Sequence, residues 1–198
     1  MTSATSPRSR SGFTLIELLA AIGILLFGML SAYAAVTLSI RNGVDSINRT
    51  IATHLATEGL ELIRNIRDTN KINGYAWNQE LSTGACATVN TTCTYLVDFN
   101  LTAPSGRLCL IGGGSCPTVI PLSFASSTGQ YAYNGWASFV GTTSPFTRTI
   151  SVMHVTDSGA GVAGFGPSTQ YLRVTSVVSW SGGTKQVVLE THLYDWRP

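Results

Sequence analysis

Few side chains in this 198-residue sequence have the type and spacing that chemistry requires. Cys86 and Cys93 enclose six residues, as do Cys109 and Cys116. Thiols can cross-link, hold a metal or stay free. Zinc sites favour Cys-x-x-Cys spacing with histidines close by, and neither occurs here, so zinc ranks last and free cysteines rank ahead of it. An even, spaced set fits a chain that matures in an oxidising compartment, where three pairings of four cysteines are possible. The local scheme, Cys86 with Cys93 and Cys109 with Cys116, is favoured because each pair flanks a polar, loop-like stretch. Loop closure gives about 2.5 kcal/mol for each such small ring. His54, His154 and His192 are far apart, and no nucleophile elbow or other local motif joins them to a catalytic serine or cysteine. The glycine-rich run Asp157–Pro167 lacks the Gly-Lys-Ser/Thr of a phosphate cradle, and one carboxylate, Asp157, is too few for calcium. Tyr131, Tyr133, Trp136, Trp180 and Trp196 could form an adhesive surface, although strand packing explains them as well. No catalytic residue, metal or cofactor is expected. Glu17 remains, an acid at the start of a long apolar run, where a carboxylate costs about 2.5–3.5 kcal/mol in a bilayer and so implies a partner.

The elements that place these residues divide sharply. The chain is 44% hydrophobic and only 11% charged, so disorder is excluded. Arg8 and Arg10 account for the whole formal charge of +2, which leaves no strong nucleic-acid signal. Residues 1–12 are polar and basic, and Phe13 to Ile40 then carries one charged side chain in 28 residues. At about 1.5 Å per residue that is roughly 42 Å of helix, more than a bilayer core needs. The basic flank places the N-terminus in the cytoplasm and the bulk of the chain outside. An ordinary signal peptide cut after Ala34, at Ala32-Tyr33-Ala34, is one reading, and it would release a secreted β-rich binding domain or enzyme. Glu17 and the continuation of the helical pattern far beyond Ala34 count against it. An uncut single-span surface protein is another.

Ser11-Gly12-Phe13-Thr14-Leu15-Ile16-Glu17-Leu18-Leu19 resembles the N-terminal signature of type IV pilins and of the pseudopilins of type II secretion. The resemblance covers residues 8–40 and implies cleavage by a prepilin peptidase between Gly12 and Phe13, then N-methylation of Phe13. It further implies a precursor held in the cytoplasmic membrane by one span with its head outside. From there it would be extracted by an inner-membrane assembly platform into an extracellular pilus or a periplasmic pseudopilus with copies of itself and other pilins. Cleavage creates a cation at Phe13, and Glu17 lies four residues along, about 6 Å up the axis. In a staggered bundle the amine of one subunit can meet the Glu17 carboxylate of a neighbour, so that Phe13 and Glu17 together set the register of assembly. Ala34 stands where many members carry a proline; for any local melting Gly23 and Gly28 are the better candidates, but close helix packing is the simpler role for such small residues.

Val44, Ile47, Ile51, Leu55, Gly59, Leu62 and Ile66 recur at steps of three and four, which predicts an amphipathic continuation of the helix to about Asn70. Asp45 with Arg49, Arg64 with Asp68 and Glu61 with Arg64 are spaced for ion pairs. Leu55 to Asp68 is similar to a pattern of some bacterial pilin-like proteins. Beyond it, strands are predicted at Thr94–Phe99, Arg107–Ile111, Tyr131–Val140, Phe146–Val155, Tyr171–Trp180 and Gln186–Tyr194, the last two joined by a Ser181–Thr184 hairpin. The expected fold class is α+β, a long N-terminal α-helix, transmembrane in its first half and amphipathic in its second, packed on an antiparallel β-sheet head of pilin-like type. The expected organisation is a leader at 1–12, a transmembrane and filament-core helix at 13–40, an amphipathic half at 41–70 and a disulfide-containing head at 71–198. A non-enzymatic pilin or pseudopilin subunit is the function implied.

Overall fold

The computed structural model describes residues 12–81, 84–98, 108–112, 119–133, 139–156 and 170–195. They form one long helix, α1 (Leu15–Ile72), and seven strands: β1 (Thr92–Val97), β2 (Leu108–Leu110), β3 (Pro121–Ala125), β4 (Gln130–Tyr133), β5 (Thr142–Thr156), β6 (Gln170–Trp180) and β7 (Lys185–Tyr194). A 3-10 turn, Gly84–Ala87, precedes β1. All pairings are antiparallel. The fold is α+β, as the sequence pattern implies. The chain divides into two compact units, with the boundary between Ser46 and Ile47.

In the second unit β5 is the hub. Its C-terminal part pairs with β1, from Tyr95↔Ile150 to Thr92↔Met153, and β2 follows on the far side of β1. Its N-terminal part pairs with β3, which carries β4. Its other edge pairs with β6 from Thr147↔Ser179 to Thr156↔Gln170, and β7 completes the sheet. The β6–β7 hairpin turns through Ser181, Gly182 and Gly183, all at positive φ (54°, 67° and 88°), which is why glycine fills two of the three places.

Side chains alternate across each strand. Leu172, Val174, Ser176, Val178 and Trp180 of β6 are buried, as are Phe146, Arg148, Ile150, Val152 and His154 of β5. Facing them, α1 buries Ala52, Leu55, Ala56, Gly59, Leu60, Ile63, Ile66 and Asn70. This corrects the expected stripe: Val44 and Ile47 are 54% and 61% exposed and Leu62 is only half-buried. Ala52 and Ala56 take their place, because small residues allow the helix backbone to approach the sheet. Gly59 marks the closest approach, since a Cβ there would lie 2.6 Å from Ile150 Cδ1.

Three strand expectations need correction. β3 was absent from the expected set; its five residues begin with a proline and are too few to display a period of two. The strand expected at Tyr131–Val140 ends at Tyr133, and residues 134–138 lie outside the described residues. β5 begins at Thr142 rather than Phe146 and so contains Pro145. The β3–β5 register shifts between Pro121 and Ser123, and β6 joins β5 only from Thr147, so Pro145 sits at an irregularity where no ladder donor is needed. The helix ends near the expected place. The Asn70 side chain donates to the Gln79 carbonyl at 2.8 Å, and Gly74, at φ 75°, donates to the Lys71 carbonyl.

Cys86 and Cys93 form a disulfide, with Cα atoms 5.7 Å apart, and both are buried in the core beside Tyr95 and Val152. Cys109 is also disulfide-bonded; Cys116 lies outside the described residues.

Candidate functional site

Residues 12–14 are non-helical, and α1 begins at Leu15. Thr14 starts it: its carbonyl accepts from the backbone N–H groups of Glu17 (3.1 Å) and Leu18 (3.2 Å), and its hydroxyl Oγ1 accepts from the Glu17 N–H at 3.4 Å. These bonds satisfy donors that every helix start leaves open. Thr14 and Glu17 thus stand at the N-cap and N3 positions of a Thr-x-x-Glu capping sequence, a signal legible in the sequence that the reading of Glu17 as a partner-seeking acid passed over. Glu17, the acid of the first turn, also faces the positive end of the helix dipole. The bond between Gly12 and Phe13 lies in the non-helical stretch just before this cap, and Phe13 is 86% exposed.

From there to Ile40 the helix carries Leu, Ile, Phe, Met and Val side chains on all sides, and none of them is buried. Two of its hydroxyls are satisfied within the helix: Ser31 Oγ donates to the Gly28 carbonyl and Thr37 Oγ1 to the Tyr33 carbonyl, both at 2.9 Å. The segment therefore makes no side-chain demand on water for these groups, as lipid requires. Among the described residues α1 is the helix with the length and apolar content to cross a membrane.

The other candidates are not drawn together with this site. His54 is exposed, His154 is buried in β5, and His192 lies on β7 beside Glu190 at 3.2 Å. Among the described residues no cluster of three His, Cys, Asp or Glu side chains is placed to hold a metal ion. Asp157 with its glycine-rich run, Trp136 and Trp196 lie outside the described residues. Tyr133 and Trp180 are buried and Tyr131 is half-buried against Phe124 and Phe146, which makes all three packing residues. A cavity of about 490 Å³ opens beside α1, lined by Glu58, Glu61, Arg64, Asp68 and Asp98 among others. Its charged groups are largely engaged: Glu61 pairs with Arg64, Asp68 with Arg67, and Asp98 accepts from the Tyr133 N–H.

A capped, bare apolar helix with an acid in its first turn, continuing into an antiparallel sheet, is an α+β architecture of pilin-like type. Within that class the chain carries the prokaryotic N-terminal methylation motif, which matches over residues 7–33. This is the prepilin-type signal of type IV pilins and pseudopilins, and with the apolar helix it suits a precursor anchored in the inner membrane. No curated protein and no solved structure matches the chain.

Proposed function

We propose that this protein is a structural subunit of a type IV pilus-like filament. The precursor is cut between Gly12 and Phe13 by a prepilin peptidase, methylated on the new Phe13 amine, and assembled through its N-terminal helix with copies of itself or other pilins. The observation that carries this reading is an apolar helix surface left wholly bare from Phe13 to Ile40, headed by the methylation motif. Lipid covers such a surface before assembly and neighbouring helices cover it afterwards; each large apolar side chain taken out of water contributes about 1.5–3 kcal/mol. Register is supplied by the Phe13 amine of one subunit meeting the Glu17 carboxylate of another, since both charges are tolerated in an apolar core only when paired. The Cys86–Cys93 bridge supports a head that folds outside the reducing cytoplasm.

Mass spectrometry of the mature N-terminus tests the reading. N-methylated Phe13 is expected. A chain starting at Ala35 would make residues 1–34 a disposable signal peptide, and an intact Met1 would make the protein a permanent single-span anchor; either result overturns the assignment.

A further inference from the structure

The head core consists of two apolar clusters with a polar layer between them. Along β5, Phe146 belongs to one cluster and Ile150 to the other, and the inward residue between them is Arg148, fully buried. Along β6, Ser176 stands in the same way between Val174 and Val178; along α1, Glu58 and Gly59 stand between Ala56 and Leu60. Arg148 binds across this layer. Its Nη1 donates to the Leu55 carbonyl at 3.2 Å and lies 3.3 Å from Glu58 Oε1, and its Nη2 donates to the Val97 carbonyl at 2.9 Å. The Tyr133 hydroxyl donates to the Arg148 carbonyl at 2.7 Å. One arginine thereby joins α1, β1, β4 and β5.

A buried ion pair is weak support for stability, because apolar residues of similar volume often serve as well; its better-attested use is to fix register. This helix needs such a device. Its inward stripe of Ala52, Ala56, Leu60, Ile63 and Ile66 repeats at steps of three and four. Moved by one turn, about 5.4 Å, it would still offer the sheet an apolar face. Charge and bulk do not repeat at a step of four. Four residues either side of Glu58 stand His54 and Leu62, neither of which can neutralise a guanidinium; three residues on, Glu61 is exposed and already pairs with Arg64. Four residues either side of Gly59 stand Leu55 and Ile63, whose side chains would occupy the place that Ile150 fills.

We propose that Glu58 and Gly59 on α1, with Arg148 and Ile150 on β5, form a key of charge and shape that selects one register of the head sheet on its helix, and that this key contributes uniqueness rather than stability. The proposal is independent of filament assembly and is tested on the full chain in detergent micelles. Spin labels are placed on non-natural residues at Thr57 and Gln186, both exposed, so the disulfides stay intact. The wild type gives one label-to-label distance. Glu58→Leu alone strands the arginine and lowers Tm sharply. Glu58→Leu with Arg148→Met restores Tm to within about 4 °C of wild type, while the distance distribution broadens or splits on the scale of one helical turn, about 5 Å. A double variant that keeps the single wild-type distance overturns the proposal. So does a double variant as unstable as Glu58→Leu, which would make the pair a stability element.

Discussion

The two units of this chain use the same kind of helix in opposite ways. Between Ile47 and Ile72, α1 buries one stripe on a sheet and leaves its other face to water, so the chain itself supplies what the helix needs. Between Leu15 and Ser46, Phe27 is 78% exposed, Leu15 76% and Ile24 74%, and no residue is buried. A helix apolar on every side has no inward face to offer. The difference shows where each unit's stabilisation originates: the head is completed by long-range contacts within the chain, and the stem only by something outside it. Substitutions in the head should therefore register as stability, and those in the stem as association.

The largest effect is expected in the stem. On the proposed pairing, Glu17→Ala removes the one carboxylate of the Phe13–Ile40 segment that can meet the Phe13 amine of a neighbour, and stranding a buried charge costs about 3–5 kcal/mol. Filament yield, measured by quantifying sheared filaments, should fall by roughly 100-fold or more, since each 1.4 kcal/mol is a factor of ten. Mass spectrometry should still find N-methylated Phe13 in the membrane fraction, and the Tm of the head should not move. Filaments at wild-type yield would break the comparison, because they would show that the stem needs no charge partner.

A smaller effect is expected in the head, with no counterpart in the stem. Burial pushes the Tyr133 hydroxyl up from 10.0 to about 12; Arg148 pulls the other way by its charge and by hydrogen bonding, and Asp98 and Glu58 add to the rise. The folded value lies above the unfolded one, so the contribution is whole below pH 10 and is lost as pH rises toward 12. In that window the unfolded chain ionises first, and stability falls by about 1.4 kcal/mol for each pH unit between the two values, a loss on the order of 3 kcal/mol in all. Urea unfolding from pH 9 to 12 should show this slope, and Tyr133→Phe should reduce it. An unchanged slope in Tyr133→Phe would assign the alkaline loss to other groups.

Legibility in the sequence followed the same division. The stem is a composition effect repeated over 28 residues, and no tertiary contact is needed to read it. In the head, the eleven- and ten-residue strands β6 and β7 fall within one residue of expectation, because half-buried strands that long repeat their alternation several times. β3 is too short to do so. The polar key was harder to see. Arg148 follows Phe146 and precedes Ile150 at inward parity in β5, so alternation alone places its side chain in the core, yet an arginine in a strand reads by type as a solvent-facing residue. The carbonyls of Leu55 and Val97, 93 and 51 residues away, together with the Glu58 carboxylate make its burial tolerable, and no local pattern announces partners so distant. The helix stripe was legible in part: Leu55, Gly59 and Ile66 are buried as expected, but the pattern passes over Ala52 and Ala56, whose small size is what the sheet requires.

The smallest effect returns to the stem and separates two parts played by its first turn. Thr14 accepts the Glu17 N–H through its hydroxyl, and loss of such a cap costs about 1 kcal/mol. Thr14→Ala should therefore leave Glu17 present but loosen the turn that carries it. Amide hydrogen exchange of the full chain in micelles should accelerate about fivefold at Glu17 and Leu18, the energy equivalent of that cap, with the head unchanged. Thr14→Ser, which keeps the hydroxyl, should restore protection. Filament yield should fall far less than for Glu17→Ala, because the charge pair survives and only the helix start has frayed. If Thr14→Ala instead lowered yield as much as Glu17→Ala at unchanged exchange, the threonine would be acting on a neighbouring subunit rather than on its own helix, and the stem's polar start would be an interface in full.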